Sequence, residues 1–357
     1  MKFGMLHLFE NPMDRTEKEI VDEQFDLMVR AEDYGFDSVW PAEHHFSEYG
    51  YCASPAVSLA AVAARTSRIR LGTGVVVLPL NHPVRVAEDY AIIDLLSNGR
   101  VDLGVGRGYQ PHEFQGYGVD QTLSRDMFHE SVEIIEKAWT EDRFSYDGTF
   151  YQVHDLSVRP KPLQKPRPPI WMASLSPETF QLCGRYGYNL LCAPVFGFDV
   201  NRGAAQIAEY RDALRQQGRD PAAHEVGALT MTYVAETSQE ALSDFSGPVM
   251  WYYRTFAKYI APPKGQDPVK TYEMYTRARD FLEVATWEAI VQGGAVIAGS
   301  PDEVVDRIGK VSELCGINHY LCWTRIGGLA HEKVLRSMEL MAAKVFPQLR
   351  GLVPSVS

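Results

Sequence analysis

An α/β fold, a single closed (β/α)8 barrel over residues 1–357, is what this sequence predicts, and three observations lead to it. Apolar runs of strand length alternate with segments of helical period, which calls for parallel strands joined by right-handed crossovers. Eight such strands can be counted, and eight favour a closed barrel over an open doubly wound sheet. The clearest unit lies at residues 69–108, where Ile69 to Val77 is a nearly continuous apolar run that stops at Pro79, the pattern of a strand covered on both faces. Pro83 then opens a helix in which Val86, Tyr90, Ile93 and Leu96 recur at helical spacing. Asn98-Gly99 ends it, and Val101 begins the next strand.

The remaining elements follow in order. Lys2 to Phe9 reads as the first strand, and Thr16 with Glu19 three residues on is a capping box that starts a helix reaching Tyr34-Gly35. Asp37 to Pro41 is the second strand and runs into Glu43-His44-His45-Phe46. Pro55 to Arg65 is an alanine-rich helix, Ser124 to Thr140 another helix, and Phe144 to Val153 a hairpin turned by Asp147-Gly148. Pro160 to Pro169 holds five prolines, which makes it a stiff extended connection. Ile170 to Ala173 is a strand feeding a helix from Pro177, and the strands Tyr188 to Cys192 and Val226 to Val234 flank a helix over 199–217. A helix from Pro301 to Cys315, a strand from His319 to Trp323 and a helix from His331 to Phe346 close the chain. Ser246 to Ala295 does not fit the alternation. Its length, its Pro262-Pro263-Lys264-Gly265 break and its exposed-looking aromatics point to a lid, with a helical decoration or oligomer contact as the other reading.

Charge and composition narrow the partners. A net charge of -11 argues against a nucleic-acid or anionic-membrane partner, since both need a basic face. The five cysteines are scattered without a CxxC, so neither a disulfide framework nor a zinc site is expected. No secretory apolar segment and no run long enough to span a bilayer is visible, so a cytoplasmic protein acting on small molecules is expected.

The motifs carry a resemblance. MKFG at the start, Glu43-His44-His45-Phe46, Leu71-Gly72-Thr73 with Leu78-Pro79, His82-Pro83 with Arg85 and Glu88-Asp89, Ser97-Asn98-Gly99-Arg100, Arg107-Gly108 and Gly327-Gly328-Leu329-Ala330-His331 stand together in one chain. The sequence in these stretches resembles the bacterial luciferase-like flavin-dependent monooxygenase family, its luciferase alpha chains in particular. The resemblance covers residues 1–200 and 296–350. It implies a barrel enzyme that takes reduced FMN and O2, forms a C4a-hydroperoxide in a dry pocket and oxidises a small organic substrate. A cis Gly74-Val75 peptide pressing on the flavin ring and a homodimer are implied with it. No second nucleotide-binding fingerprint is visible, so a separate NAD(P)H:flavin reductase is expected to supply the flavin. The family also contains deazaflavin-dependent hydride-transfer enzymes, and a non-catalytic flavin-binding protein is a further alternative. The chain departs from the luciferase alpha chains at Gly106, where they carry a reactive cysteine.

Each candidate residue has a physical reading beside the resemblance. Neighbouring strand residues point to opposite faces, so only one of His44 and His45 is expected at the barrel mouth. The resemblance selects His44 as the catalytic member, in general acid or base chemistry. A metal site is not expected, because the histidines lack HxH or HExxH spacing. Gly104-Val-Gly106-Arg107-Gly108 lacks the spacing of a dinucleotide fingerprint. Arg107 at that strand end can instead grip a phosphate through two parallel hydrogen bonds, or simply form a surface ion pair. At Ala173-Ser174-Leu175-Ser176-Pro177-Glu178-Thr179, Ser176 is placed as an N-cap with Pro177 at the first helical position, where free N–H groups accept an anion. The expected cofactor-binding set is therefore Gly74, Val75, Arg107, Ala173, Ser174, Leu175, Ser176 and Thr179.

Overall fold

In the computed structural model, residues 1–12, 15–193, 200–265, 268–292 and 294–352 are described. In chain order the strands are β1 (Lys2–His7), β2 (Ser38–Pro41), β3 (Arg70–Gly72), β4 (Val76–Val77), β5 (Val101–Gly106), β6 (Phe144–Asp147), β7 (Gln152–Leu156), β8 (Ile170–Ser174), β9 (Asn189–Cys192), β10 (Val226–Val234), β11 (Val296–Gly299) and β12 (His319–Trp323). Eight of them pair in parallel around a closed ring, β1-β2-β3-β5-β8-β9-β10-β12, and β12 returns to β1 with Phe3 opposite Tyr320. Helices surround this ring, so the fold is the (β/α)8 barrel. β6 and β7 form the expected antiparallel hairpin outside it.

Local chemistry explains the elements. Thr16 accepts from the Glu19 N–H and the Glu19 carboxylate accepts from the Thr16 N–H at 2.9 Å, so the capping box starts the helix Glu17–Asp33. The barrel interior is filled by large rings, with Trp40 edge-on to Trp171 at 5.2 Å and both edge-on to His319. Space for Trp40 exists because Gly72 lies beside it; a Cβ there would meet the indole at 2.3 Å.

Four features differ from the sequence reading. The third strand is interrupted: β3 ends at Gly72 and β4 begins at Val76, with a cis Gly74–Val75 peptide between them, the geometry the resemblance implies. A short helix, Pro111–Tyr117, follows the glycine-rich loop. β11 was not anticipated and lies against the carboxyl half of β10, Met231 opposite Val296. The excursion expected from Ser246 begins later, because residues 246–259 continue the helix Ser238–Tyr259. On that helix the side chains turn inward, Phe245, Val249, Tyr252, Tyr253 and Phe256 forming a buried stripe at helical spacing, whereas Phe281 further on is exposed. What remains is a short helical turn at Lys270–Tyr272 and the helices Glu273–Val284 and Trp287–Gln292, laid over the carboxyl end of the barrel. Among the described residues no helix is long and apolar enough to cross a membrane.

Candidate active site

Two adjoining cavities open at the carboxyl end of the strands, the end where barrels carry their chemistry. The smaller, about 190 Å³, is lined by the ends of β4, β5 and β8 and the loops after them. The larger, about 300 Å³, is mainly apolar, with Leu6, Leu8, Leu229, Phe256 and Trp323 in its wall. His44, Gly74, Tyr109, Leu175, Met274 and Tyr275 border both. The last two come from the helix Glu273–Val284, which covers the pair of cavities.

The small cavity gathers Gly74, Val75, Arg107, Ala173, Leu175, Ser176 and Thr179 from the expected set. Ser174 differs. It lines the larger cavity, and its hydroxyl donates to the Thr179 carbonyl at 3.2 Å, a link that ties the strand end to the following helix. Ser176 stands at the N-cap of Pro177–Tyr186 without a side-chain cap bond. Its hydroxyl lies 3.4 Å from Thr179 Oγ1, and the Thr179 and Phe180 N–H groups donate to the Ser176 carbonyl at 2.9 and 3.4 Å, which leaves the Glu178 N–H of the first turn for another acceptor. The Arg107 guanidinium lies over the Tyr272 ring, 4.5 Å from its centroid. The Tyr272 hydroxyl donates to the Gly108 carbonyl at 3.0 Å, which fixes that platform. No carboxylate among the described residues pairs with Arg107, so its charge is available to an anion in the cavity. Bare backbone completes the cradle: a Cβ on Gly106 would meet Val75 Cγ2 at 2.6 Å. Cation, helix N-terminus and thin backbone together fit the phosphate and ring of a flavin mononucleotide.

His44 and His45 have different surroundings. His44 Nδ1 lies 2.9 Å from Glu113 Oε1, which also accepts from the His45 backbone N–H at 2.9 Å. Burial alone would raise the Glu113 carboxyl, but His44 beside it and the His45 N–H outweigh burial and hold it below the usual carboxylate range. An ionised Glu113 fixes the hydrogen on Nδ1 and leaves Nε2 of His44 as the nitrogen able to take a proton. The His44 ring meets the Tyr49 and Tyr109 rings edge-on, at 4.8 and 5.8 Å. His45 touches neither cavity; its nitrogens lie 3.1 Å from Glu43 Oε1 and 3.3 Å from the Tyr117 hydroxyl. Glu43 in turn accepts from the Val77 N–H and the Asn81 amide, both at 2.8 Å, and so stitches the loop after β2 to the segment after β4. No group of three or more His, Cys, Asp or Glu placed to hold a metal occurs among the described residues.

Glu113, Tyr49, Tyr109 and Tyr252 were missed from the sequence. Tyr109 directly follows Arg107-Gly108 and was within reach of the motif. Glu113 had no spacing signal, since it lies on a short helix 69 residues from its partner.

The profile of the luciferase-like monooxygenases matches residues 1–318, most of the chain. The chain belongs to this family. It is 27% identical, over 97% of its length and 95% of the other's, to the oxygenase component of the flavin-dependent trigonelline monooxygenase of Acinetobacter baylyi. It is 30% identical, over 93% of its length and 88% of the other's, to the 4-hydroxyprotoasukamycin monooxygenase of Streptomyces nodosus subsp. asukaensis. The crystal structure of monooxygenase RslO1 from Streptomyces bottropensis superposes with a TM-score of 0.84, at 28% identity, covering 97% of this chain and 99% of that one. An F420-dependent secondary alcohol dehydrogenase shares the fold, with a TM-score of 0.77 at 19% identity, covering 98% and 99% of the two chains. The family is one of oxidoreductases, and the Acinetobacter relative is named for its flavin.

Proposed function

We propose that this protein is the oxygenase of a two-component, FMN-dependent monooxygenase, fed with reduced FMN by a separate NAD(P)H:flavin reductase and oxidising a small organic substrate with O2. The observation that carries the reading is the joined pair of cavities, one built for an anion and a flat ring, the other apolar, with His44 at their boundary. The relative named as the oxygenase component of a flavin-dependent monooxygenase supports both the flavin and the separate reductase.

Arg107, Ser176 and Thr179 hold the phosphate, Gly74 and Val75 support the ring, and Ala173 and Leu175 shape the wall beside it. Bound reduced FMN supplies the electrons that activate oxygen. The protein's own contribution is orientation and shelter. Apolar side chains keep water from the larger cavity, and Met274 and Tyr275 on the covering helix close it from above. Glu113 holds His44 in one tautomer, so that Nε2 exchanges a proton at the cavity boundary. The unit acts as one barrel domain in the cytoplasm and pairs as a homodimer, a reading supported by exposed Val57, Ile92, Leu95 and Leu96 on neighbouring helices.

Oxygen uptake is the test. Reduced FMN with the protein and a substrate is expected to consume O2 and give an oxidised product in proportion. Anaerobic turnover with reduced deazaflavin assigns hydride transfer in its place, and tight FMN binding without either reaction leaves a flavin carrier. Shortening the segment 262–285 is expected to increase release of hydrogen peroxide; unchanged release removes the lid role from it.

A further inference from the structure

The hydroxyls of three tyrosines form a chain at the edge of the larger cavity. Tyr49 Oη lies 2.8 Å from Tyr109 Oη and 2.9 Å from Tyr252 Oη, and all three residues line that cavity. Three phenols carry three protons, and the two links use two of them. Where Tyr49 donates to one neighbour and accepts from the other, the third proton sits on Tyr109 or Tyr252; where both donate to it, the spare proton is on Tyr49, which lines the same cavity. Among the described residues neither hydroxyl has an acceptor besides Tyr49, since the other contact of Tyr109 is the donating amide of Gln110. Burial pushes all three phenols well above their ordinary range, so the proton stays in place near neutral pH. Gln206 adds a second donor: its Nε2 is buried without a partner among the described residues, and the residue lines the same cavity. Buried donors without acceptors are rare and costly, and here the missing acceptor belongs to whatever fills the space.

Shape and charge narrow that occupant. The walls are flat rings, Tyr252 edge-on to Trp323 at 4.4 Å and Tyr109 stacked on Tyr275 at 5.4 Å, surfaces that planar rings pack against well. Among the lining residues described, Arg202 alone carries a fixed charge, and it is exposed to solvent. An apolar cavity of about 150 Å³ accepts benzene, so one of about 300 Å³ accepts roughly two rings.

We propose that the larger cavity takes a flat, uncharged substrate of roughly two fused rings bearing a carbonyl oxygen, held by the spare proton of the Tyr109–Tyr49–Tyr252 chain. Calling this molecule a substrate rests on the function proposed above; the binding itself does not. The test is calorimetric titration, with and without saturating oxidised FMN, of 1-tetralone, of tetralin, which keeps the skeleton and lacks the oxygen, and of decanal. The wild-type protein is expected to bind 1-tetralone about tenfold more tightly than tetralin or decanal. The triple variant Tyr49→Phe/Tyr109→Phe/Tyr252→Phe is expected to bring 1-tetralone and tetralin within about twofold of each other. Equal binding of ketone and hydrocarbon by the wild type, or an unchanged preference in a folded triple variant, overturns the hydrogen bond. Decanal binding as tightly as 1-tetralone overturns the flat-ring class. The wild-type comparison needs no variant to fold, and ketone preference without any FMN binding would sink the flavin reading while leaving this one standing.

Discussion

At the amino-terminal end of the barrel His319 engages both ring nitrogens, with Ser38 Oγ at 2.8 Å and Glu225 Oε2 at 3.1 Å. Lys2 pairs with the same Glu225 at 2.7 Å, and the Trp40 indole donates to Ser38 at 2.7 Å. At the carboxyl-terminal end the pattern is reversed. Among the described residues Glu10 Oε2, Glu113 Oε2, Gln206 Nε2 and two guanidinium nitrogens of Arg325 are buried without partners, and Arg107 has no carboxylate beside it. The contrast teaches how one barrel divides its work. At the closed end His319, Ser38, Glu225 and Lys2 satisfy one another and tie neighbouring strands together, with Trp171 Nε1 beside them left unpaired, whereas at the open end Glu113, Gln206 and Arg107 keep polar atoms for a ligand, a proton or oriented water.

His44→Ala is expected to give the largest break in this comparison, lowering product formation by about 10²–10⁴-fold while FMN affinity and melting temperature stay near wild type. Normal turnover and coupling in that variant would leave the site as shelter alone. His45→Ala is its control: a residue bonded to Glu43 and Tyr117 outside both cavities is expected to change stability more than turnover. Next in size, Arg107→Ala is expected to weaken FMN by roughly 10- to 100-fold and riboflavin by less than about twofold, the value of a charge-assisted contact to the phosphate. Equal losses for the two ligands would place Arg107 outside the phosphate site.

Two carboxylates sharpen the comparison through pH. Burial would raise Glu225, but His319 and Lys2 outweigh it and hold the carboxyl at about 2. Its folded value is depressed, so its stabilisation is present above pH 4.5 and is lost as pH falls toward about 2. Glu225→Gln is expected to cost roughly 1–3 kcal/mol at pH 7, with the gap to wild type closing in acid and kcat unchanged. A pH-independent gap in denaturant midpoints would contradict this. Glu10 has the opposite sign: burial pushes it up to about 8 against the pull of Arg325 and the Trp323 N–H. Its contribution is present below pH 4.5 and lost as pH rises through about 8. Glu10→Gln is therefore expected to lose less stability than wild type between those pH values, and parallel melting curves across the range would refute it.

The sequence by itself determined the barrel, the order of most of its elements and the strand ends at which the two cavities lie. Alternating apolar runs, the Thr16/Glu19 capping box and the Ser176-Pro177 helix start are local patterns, readable because backbone geometry repeats over a few residues. Motif and strand-end position likewise mark His44, Arg107 and the 173–179 turn as candidates. Tertiary structure alone decided who meets whom. Glu113 reaches His44 across 69 residues and Tyr252 reaches Tyr49 across 203, over loops whose path no periodicity encodes. It also decided that the aromatics of 245–256 turn inward, because the barrel supplies an apolar surface for that helix stripe that the sequence cannot display. A hydrogen bond between distant side chains depends on where closure of the strands sets two loops, and that closure is a property of the whole ring of pairings from β1 to β12.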